Sequence, residues 1–276
     1  MKLCIFGNCQ LRSVGFLIDH AAKQHGLDIE VLWYKPIYQM TDDDYMPFFA
    51  AMEAADAIYC QYHDEKWGIW STPNLRKYFD LKIVPTLESF VSSPQVGGWE
   101  KGPARFYNMY FMDYRILHLY LDGVPYDQVE ARYFDAAPRA GVIAEMIGET
   151  VAKYRRYHDS GMVVFDYSEQ YRKAIAEDLD CFFLHNHPKN AQLEWMTNQI
   201  LGAAGCPKQL SLANISEILF DFQAPSLTGP ERKPYFIRPS VSSITSAARL
   251  YYAYFETVDR KMLKRELSAS TYARVF

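Results

Sequence analysis

At 276 residues, the chain is long enough for one large domain or for a domain with a helical extension. Hydrophobic residues make up 49% and charged residues 22%, which is ordinary for a soluble globular protein. The net charge of −4 gives no general electrostatic case for binding nucleic acid, so we expect no nucleic-acid partner.

The first stretch of the chain has the pattern of a strand, a tight turn and a helix. Lys2–Phe6 is a short apolar run, Gly7–Gln10 is the turn, and Leu11–His25 has helical apolar spacing. This order predicts the opening of an α/β domain. Open α/β sheets bind ligands outside the carboxyl ends of their strands, which is where this turn would lie.

The same alternation continues to about residue 90. We predict further strands at Leu27–Tyr34, Ala57–Tyr62 and Lys82–Leu87, with helices at Asp42–Ala55 and Thr72–Phe79 between them. A βαβαβαβ order predicts a parallel sheet with right-handed crossovers. The predicted fold is therefore α/β, with a three-layer, Rossmann-like core.

A largely helical block follows this core. Residues 91–106 are predicted to form a long loop, and helices are predicted at Tyr107–Leu121, Tyr126–Phe134 and Arg139–His158. We predict an α/β core over residues 1–205 with inserted helices around 107–160. Residues 206–276 would form a mainly helical extension packed on this core.

A second strand-like run, Asp180–Leu184, leads into a polar loop that contains His185, Asn186 and His187. Pro188 is expected to begin the next helix, which continues to Ala204. This stretch repeats the strand end, polar turn and helix of the first residues.

The five cysteines are odd in number and include no C-x-x-C pair. This usage favours a reducing compartment over a disulfide framework. Met1 and Lys2 lead directly into a strand, without a signal-peptide pattern, and no apolar stretch approaches the roughly 20 residues of a membrane helix. We therefore expect a cytoplasmic protein.

Cys9 is the first candidate for chemistry, because it lies at the start of a helix, where the thiolate form is favoured. It would act as a nucleophile, with Asn8 and local backbone N–H groups as oxyanion donors. A small structural residue in a tight turn is the alternative. His187, with His185 as its rival, is the candidate general base, and Gln61 at a strand end is a candidate substrate ligand.

Several other kinds of site are not predicted. The two histidines lack a Cys or carboxylate partner at zinc-site spacing, so no metal is expected. The sequence has no P-loop, no G-x-G-x-x-G after the first strand and no G-x-S-x-G motif. The string from His118 to Gly123 matches an H-x-x-x-D-G acyltransferase motif, but it falls at a helix end and is interpreted as chance.

The turn Gly7–Gln10, the strand-end Gln61 and the later Asn186–Pro188 resemble the signature of the WcbI-type polysaccharide biosynthesis enzymes. These are CoA-binding proteins regarded as acetyltransferases acting on capsular polysaccharide sugars, and their core is similar to that of the SGNH hydrolases. The resemblance covers roughly residues 1–205. It departs from the SGNH pattern at Leu184, where those enzymes have an aspartate three residues before the histidine.

The resemblance implies that Cys9 and His187 are the catalytic pair. It places Asn8, Gln10 and Gln61 around the substrate, and we assign Gly7 to the same binding site. We also assign His185 and Asn186 to the binding site, and expect Arg12 and Lys189, each in the first turn of a helix, to meet CoA phosphates.

The predicted activity is acyl transfer, in the first instance of acetyl, from acyl-CoA to a sugar hydroxyl in capsular or other surface polysaccharide synthesis. Cys9 would either form an acyl-enzyme or only shape the site while His187 activates the hydroxyl. An SGNH-like carbohydrate esterase and a non-catalytic carbohydrate- or nucleotide-binding protein are the alternatives. The sequence predicts neither the acceptor sugar nor the oligomeric state.

Overall fold

The computed structural model describes residues 1–98, 111–206, 209–220, 222–225, 227, 236–237 and 241–276. The strands are β1 Lys2–Phe6, β2 Glu30–Trp33, β3 Ala57–Cys60, β4 Leu81–Ile83, β5 Val96–Gly98, β6 Phe111–Asp113, β7 Phe182–Leu184, β8 His187–Pro188, β9 Phe222–Gln223 and β10 Phe236–Ile237. The helices are α1 Cys9–His25, α2 Tyr45–Ala54, α3 Thr72–Leu75, α4 Tyr114–Leu121, α5 Val129–Tyr133, α6 Val142–Asp159, α7 Ser168–Glu177, α8 Asn190–Ala203, α9 Ile244–Phe255, α10 Arg260–Ala269 and α11 Thr271–Val275. Short 3₁₀ turns lie at Ile37–Gln39, Asp42–Asp44, Glu65–Trp70 and Tyr126–Gln128.

The chain divides into two compact units, each built from three segments. Unit 1 comprises Met1–Leu87, Val151–Arg172 and Pro188–Leu219. Unit 2 comprises Glu88–Thr150, Lys173–His187 and Phe220–Phe276. The division expected from the sequence, with one boundary at 205/206, stays a prediction.

Unit 1 contains a four-stranded sheet in the order β2-β1-β3-β4. All neighbouring strands are parallel, with Leu3 opposite Ala57 and Phe6 opposite Cys60 in the central pair. The predicted α/β class with a parallel sheet is thus confirmed. The likeness of this core to SGNH hydrolases stays a prediction.

Side chains of β1 alternate between the two faces of the sheet, as strand geometry requires. Cys4 and Phe6 belong to an apolar cluster with Phe48 and Met52 of α2. The rings of Phe6 and Phe48 meet edge to face, with centroids 5.1 Å apart. This packing explains why the strand reads as a continuous apolar run, since both of its faces are covered.

Helix α1 connects β1 to β2 and packs on both strands and on α8. Its cap residue is Asn8, whose side chain accepts a hydrogen bond from the N–H of Gln10. Gly26 ends the helix with a φ of +59°, a conformation that favours glycine. The cap at Asn8 places the first turn of the helix directly after β1.

Unit 2 is built around an apolar cluster to which α4, α5 and α9 contribute. Asp113 is fully buried and caps α4 by accepting the N–H groups of Arg115 and Ile116 at 3.0 and 3.1 Å. Its other oxygen accepts the hydroxyl of Tyr133 at 2.7 Å. These hydrogen bonds satisfy a carboxylate that would be costly to bury alone.

Two stretches predicted as helix are strand in the structure, and several other predicted boundaries shift by a few residues. The helix predicted from Tyr107 begins at Tyr114, because Asp113 caps it and Phe111–Asp113 pairs antiparallel with Val96–Gly98 as strand. Residues 107–110, like 99–106 of the predicted loop, lie outside the described residues. Pro188 does not begin a helix but belongs to β8, which pairs with β7.

Residues 241–276 contain the helices α9, α10 and α11. No helix in the described part of the chain combines the length and the apolar character needed to cross a membrane.

Candidate functional site

The loop Gly7–Gln10 leaves the carboxyl end of β1, the strand at which the sheet order changes direction. β2 lies on one side of β1, and β3 and then β4 lie on the other side. Such a switch point leaves a crevice outside the strand ends, because the connecting chains depart in opposite directions. Gln61 follows β3 directly and therefore reaches the same crevice.

Asn8 and Gln61 are joined across this crevice. The backbone N–H of Asn8 donates to Oε1 of Gln61 at 2.9 Å, and Oδ1 of Asn8 accepts the N–H of Gln10 at 2.8 Å. Asn8 therefore starts the helix through its side chain and binds the neighbouring strand through its backbone.

Gln10 closes the network toward the chain that follows β4. Its Oε1 accepts Nε2–H of Gln61 at 2.9 Å and the N–H of Leu87 at 3.0 Å, and its Nε2–H donates to the Leu87 carbonyl at 2.7 Å. The side chains of Gln10 and Gln61 are 1% and 2% exposed. Both amides are thus held by the protein itself, which suits positioning of the loop.

Gly7 is required by close packing rather than by backbone conformation. A Cβ atom at this position would lie 2.7 Å from Oε1 of Gln61 and 3.0 Å from Cδ1 of Leu11. The carbonyl of Gly7 accepts the N–H of Ile37 at 2.8 Å. Any side chain at position 7 would therefore displace the amide network.

Cys9 is the first residue of α1 and is half-buried. The backbone N–H groups of the first helical turn point toward the end of the helix where its thiol lies. Cys4 and Cys60 differ from it, because both are buried within the sheet. Burial raises the pKa of the Cys4 thiol to about 12 and also raises the pKa of Cys60, which keeps these thiols neutral.

The predicted phosphate ligands Arg12 and Lys189 both lie in unit 1. Arg12 is exposed in the first turn of α1, as predicted. Lys189 is half-buried and precedes α8, which begins at Asn190, so its predicted place within the first turn is wrong by one residue. Helices α1 and α8 pack against each other.

His185 and His187 belong to unit 2, and aromatic rings surround them. The His185 ring stacks on Phe90 with centroids 5.1 Å apart and planes 8° apart. Phe111 meets His185 and His187 edge to face at 5.9 and 5.8 Å. Burial lowers the pKa of His185, and the Glu88 carboxylate partly opposes this effect.

Asn186 is a half-buried residue between these histidines. The backbone carbonyl of His185 accepts the N–H of Ser89 at 2.7 Å, which ties this loop to the start of unit 2. Cys9 belongs to unit 1 and His187 to unit 2, and their pairing stays a prediction.

Two residues of unit 1, His63 and Asn190, were not predicted as site residues from the sequence. His63 is 7% exposed, its Nδ1 lies 2.8 Å from the Gln61 carbonyl, and its N–H donates to Thr72 Oγ1 at 2.8 Å. Burial lowers its pKa. The polar residues directly after β3 are the signal that indicates this position.

Asn190 is the second such residue. Its Nδ2 donates to the carbonyls of Ile215 and Ser216 at 2.9 and 3.2 Å, and its Oδ1 accepts the N–H of Ile218 at 3.0 Å. It therefore anchors the segment 215–218 to the start of α8. No local pattern in the sequence indicates these partners, because they lie more than 20 residues away.

The described residues contain no group of three or more His, Cys, Asp or Glu side chains that could hold a metal ion. The candidate groups of unit 1 are the Cys9 thiol and the amides around it, and those of unit 2 are the imidazoles of His185 and His187. Such groups can support acyl transfer through a nucleophile, a base and hydrogen-bond donors.

Comparison with known proteins identifies the family of this chain. No curated protein sequence matches the chain. A solved structure of WcbI, described as a novel polysaccharide biosynthesis enzyme and as the native protein without a disulfide bond between CoA and one of its cysteines, is similar in fold. The two share 13% identity and a TM-score of 0.66, over 97% of this chain and 93% of the other. The family model described as polysaccharide biosynthesis enzyme WcbI matches residues 2–209, and the chain therefore belongs to the WcbI family of polysaccharide biosynthesis enzymes.

Proposed function

We propose that this protein is a CoA-dependent O-acyltransferase. It moves an acyl group, in the first instance acetyl, from acyl-CoA to a sugar hydroxyl during synthesis of a capsular or other surface polysaccharide. The observation that carries the proposal is the position of Cys9, half-buried at the first residue of α1 and beside the switch point of the parallel sheet. Family membership supports the polysaccharide part of the proposal.

Cys9 is the residue that we expect the thiol end of CoA to meet. The related WcbI structure is described as the native protein without a disulfide bond between CoA and one of its cysteines, and such a bond would require a thiol that CoA can approach. In this chain Cys9 meets that requirement better than Cys4 or Cys60, which are buried in the sheet. Arg12 and Lys189 are the proposed phosphate ligands, through charge-assisted hydrogen bonds.

Two routes for the transfer are compatible with these residues. In the covalent route, the Cys9 thiolate forms a bond to the acyl carbon and the bond between that carbon and the CoA sulfur breaks. The sugar oxygen then attacks the acyl-cysteine, its proton passes to a base, and the Cys9 thiolate leaves. In the direct route, the sugar oxygen attacks the thioester carbon, its proton passes to a base, and the C–S bond breaks with release of the CoA thiolate, while Cys9 only shapes the site. The side-chain amide of Asn8 would donate to the oxyanion in both routes, because the backbone N–H groups of Asn8 and Gln10 already donate to Gln61 and to Asn8.

His187 is the proposed base, with Asn186 and His185 as neighbours that orient the acceptor. A neutral imidazole can accept the hydroxyl proton near neutral pH. Gly7, Gln10 and Gln61 are proposed to act indirectly, by holding the loop on which Asn8 and Cys9 lie. This division of roles predicts that His187→Ala lowers turnover while CoA affinity stays close to that of the wild type.

Calorimetry with CoA and acetyl-CoA, followed by intact-mass measurement, tests the proposal. We expect micromolar binding to the wild type, and an added acetyl mass on the wild type but not on Cys9→Ala if the covalent route operates. Cys206→Ala is the matched control, because Cys206 is also half-buried in unit 1. Absence of CoA binding to every form would refute the proposal, and release of acetate from sugar esters would favour the esterase.

A further inference from the structure

A groove on unit 1 is walled by aromatic rings that the proposed chemistry does not use. It encloses about 460 Å³ and is lined by the rings of Tyr45, Phe49, Tyr78 and Phe79. The centroids of Tyr45 and Phe49 are 4.8 Å apart, and those of Phe49 and Phe79 are 5.9 Å apart. The Tyr78 side chain is 77% exposed and that of Tyr45 is 41% exposed, so solvent reaches the ring wall.

Polar side chains are interspersed with these rings. Glu53, Asn74 and Lys77 also line the groove. Nδ2 of Asn74 donates to the Gly68 carbonyl at 2.7 Å, and Nζ of Lys77 donates to Oδ1 of Asn74 at 2.8 Å. The amide and the ammonium group are therefore positioned by the protein, while the exposed carboxylate of Glu53 adds an acceptor.

This combination favours a carbohydrate over a second protein surface. A sugar ring presents an apolar C–H face and hydroxyl edges, which match exposed aromatic faces and flanking hydrogen-bonding groups. The centres of protein interfaces are depleted of Lys and Glu, yet both are present in this groove. Its volume falls within the range of small-molecule sites, about 300–1,000 Å³.

We propose that this groove holds sugar units of the acceptor polysaccharide, an inference that rests on the proposed function for its choice of polymer. No residue of the loop Gly7–Gln10 lines the groove, so it is a holding site apart from the reacting thiol. A polymer held in this way has a raised local concentration near the enzyme, because its second contact is intramolecular.

The test is a glycan array of capsular and other surface oligosaccharides, followed by calorimetric titration of the best-bound oligosaccharide. Tyr78→Ala removes a stacking face that is mostly exposed, so the variant is expected to fold normally. We expect it to bind the oligosaccharide about tenfold more weakly and CoA unchanged. Glu53→Gln tests whether the carboxylate of Glu53 takes part in binding the oligosaccharide. Tyr126→Ala is the matched control, because Tyr126 is 43% exposed and lies in unit 2.

Three outcomes would overturn the inference. In the first outcome, the array retains no glycan although the protein binds CoA. In the second outcome, Tyr78→Ala binds the oligosaccharide as tightly as the wild type. In the third outcome, sedimentation shows a dimer that Tyr78→Ala dissociates, and the groove is an interface between copies. Absence of CoA binding to the wild type would count against the proposed function instead. Failure of the proposed function and failure of the sugar-groove inference are therefore distinguishable.

Discussion

The side-chain amide of Gln61 donates a hydrogen bond to Oε1 of Gln10 across 2.9 Å in the interior of unit 1. The same oxygen accepts the N–H of Leu87, so one glutamine joins the chain segments that follow β1, β3 and β4. A buried amide of this kind is worth most as a complete set, because a lost partner leaves a desolvated group behind.

The amide network predicts a large penalty for Gln61→Glu. The substitution keeps an oxygen for the N–H of Asn8 but replaces the donor to Gln10 with a second oxygen, in a position that is 2% exposed. We expect a loss of about 2–3 kcal/mol in the free energy of unfolding, measured by urea denaturation.

The control for this variant is Gln39→Glu at an exposed glutamine of the same unit. It should change the free energy of unfolding by less than about 0.5 kcal/mol. Equal stability of the two variants would contradict the network as described.

Gly7→Ala tests the close packing of the loop. The new Cβ would lie 2.7 Å from Oε1 of Gln61, and one of the two must move. We expect a loss of about 1–3 kcal/mol in stability and weaker CoA binding, since the displaced amide no longer holds Asn8.

Gly148→Ala is the matched glycine control, because nothing lies within 4 Å of its added Cβ in α6. Alanine stabilises an open helix position by about 0.5–1 kcal/mol relative to glycine. A Gly7→Ala protein that gains stability in the same way would show that the contact is absent.

Cys9 is expected to react with alkylating reagents faster than Cys4 and Cys60, which are buried in the sheet. Burial raises the pKa of Cys4 to about 12, which leaves about one thiolate in 10⁴ at pH 8. Because the thiolate is the nucleophile, iodoacetamide should modify Cys9 at least about a hundredfold faster than Cys4 or Cys60 in the native protein.

Peptide mapping by mass spectrometry at timed intervals measures these rates. Labelling in urea provides the reference, since all thiols are exposed there. Native labelling of Cys4 at the rate of Cys9 would contradict the burial of β1 side chains.

The lowered pKa of His185 predicts that the free energy of unfolding decreases in mild acid. Its pKa is lowered in the folded protein, chiefly by burial, relative to the ordinary value of 6.5. As the pH falls below about 6.5, the unfolded chain binds a proton that the folded ring resists, so the free energy of unfolding decreases. Unfolding of the wild type and of His185→Phe between pH 7.5 and 5 measures the effect.

We expect a shallower decrease for His185→Phe, because phenylalanine retains the stacking on Phe90 without a titrating group. His63 has a lowered pKa as well, so the difference between the two proteins isolates His185. Glu88→Gln should lower the pKa of His185 further, as seen by NMR titration. A midpoint above 6.5 would contradict the prediction.

The sequence by itself determined the elements whose signals are local. The apolar run Lys2–Phe6 forms a strand with the predicted bounds, and helix α1 ends at the predicted His25 but begins two residues before the predicted Leu11. Alternation of strands and helices was sufficient for the parallel sheet, because a parallel neighbour requires a crossover. The family was also visible in short motifs, and the match over residues 2–209 confirms it.

Only the tertiary structure decided which partners those local elements meet. The bonds of Gln10 span 51 and 77 residues, so no local pattern could show that its side chain holds the loop rather than faces solvent. The start of α4 depends on the pairing of β5 with β6. Pro188 is part of strand β8 because β8 pairs with β7. Long-range pairing overrides local propensity at such positions, since the free energy of packing and hydrogen bonding exceeds the preference of one residue.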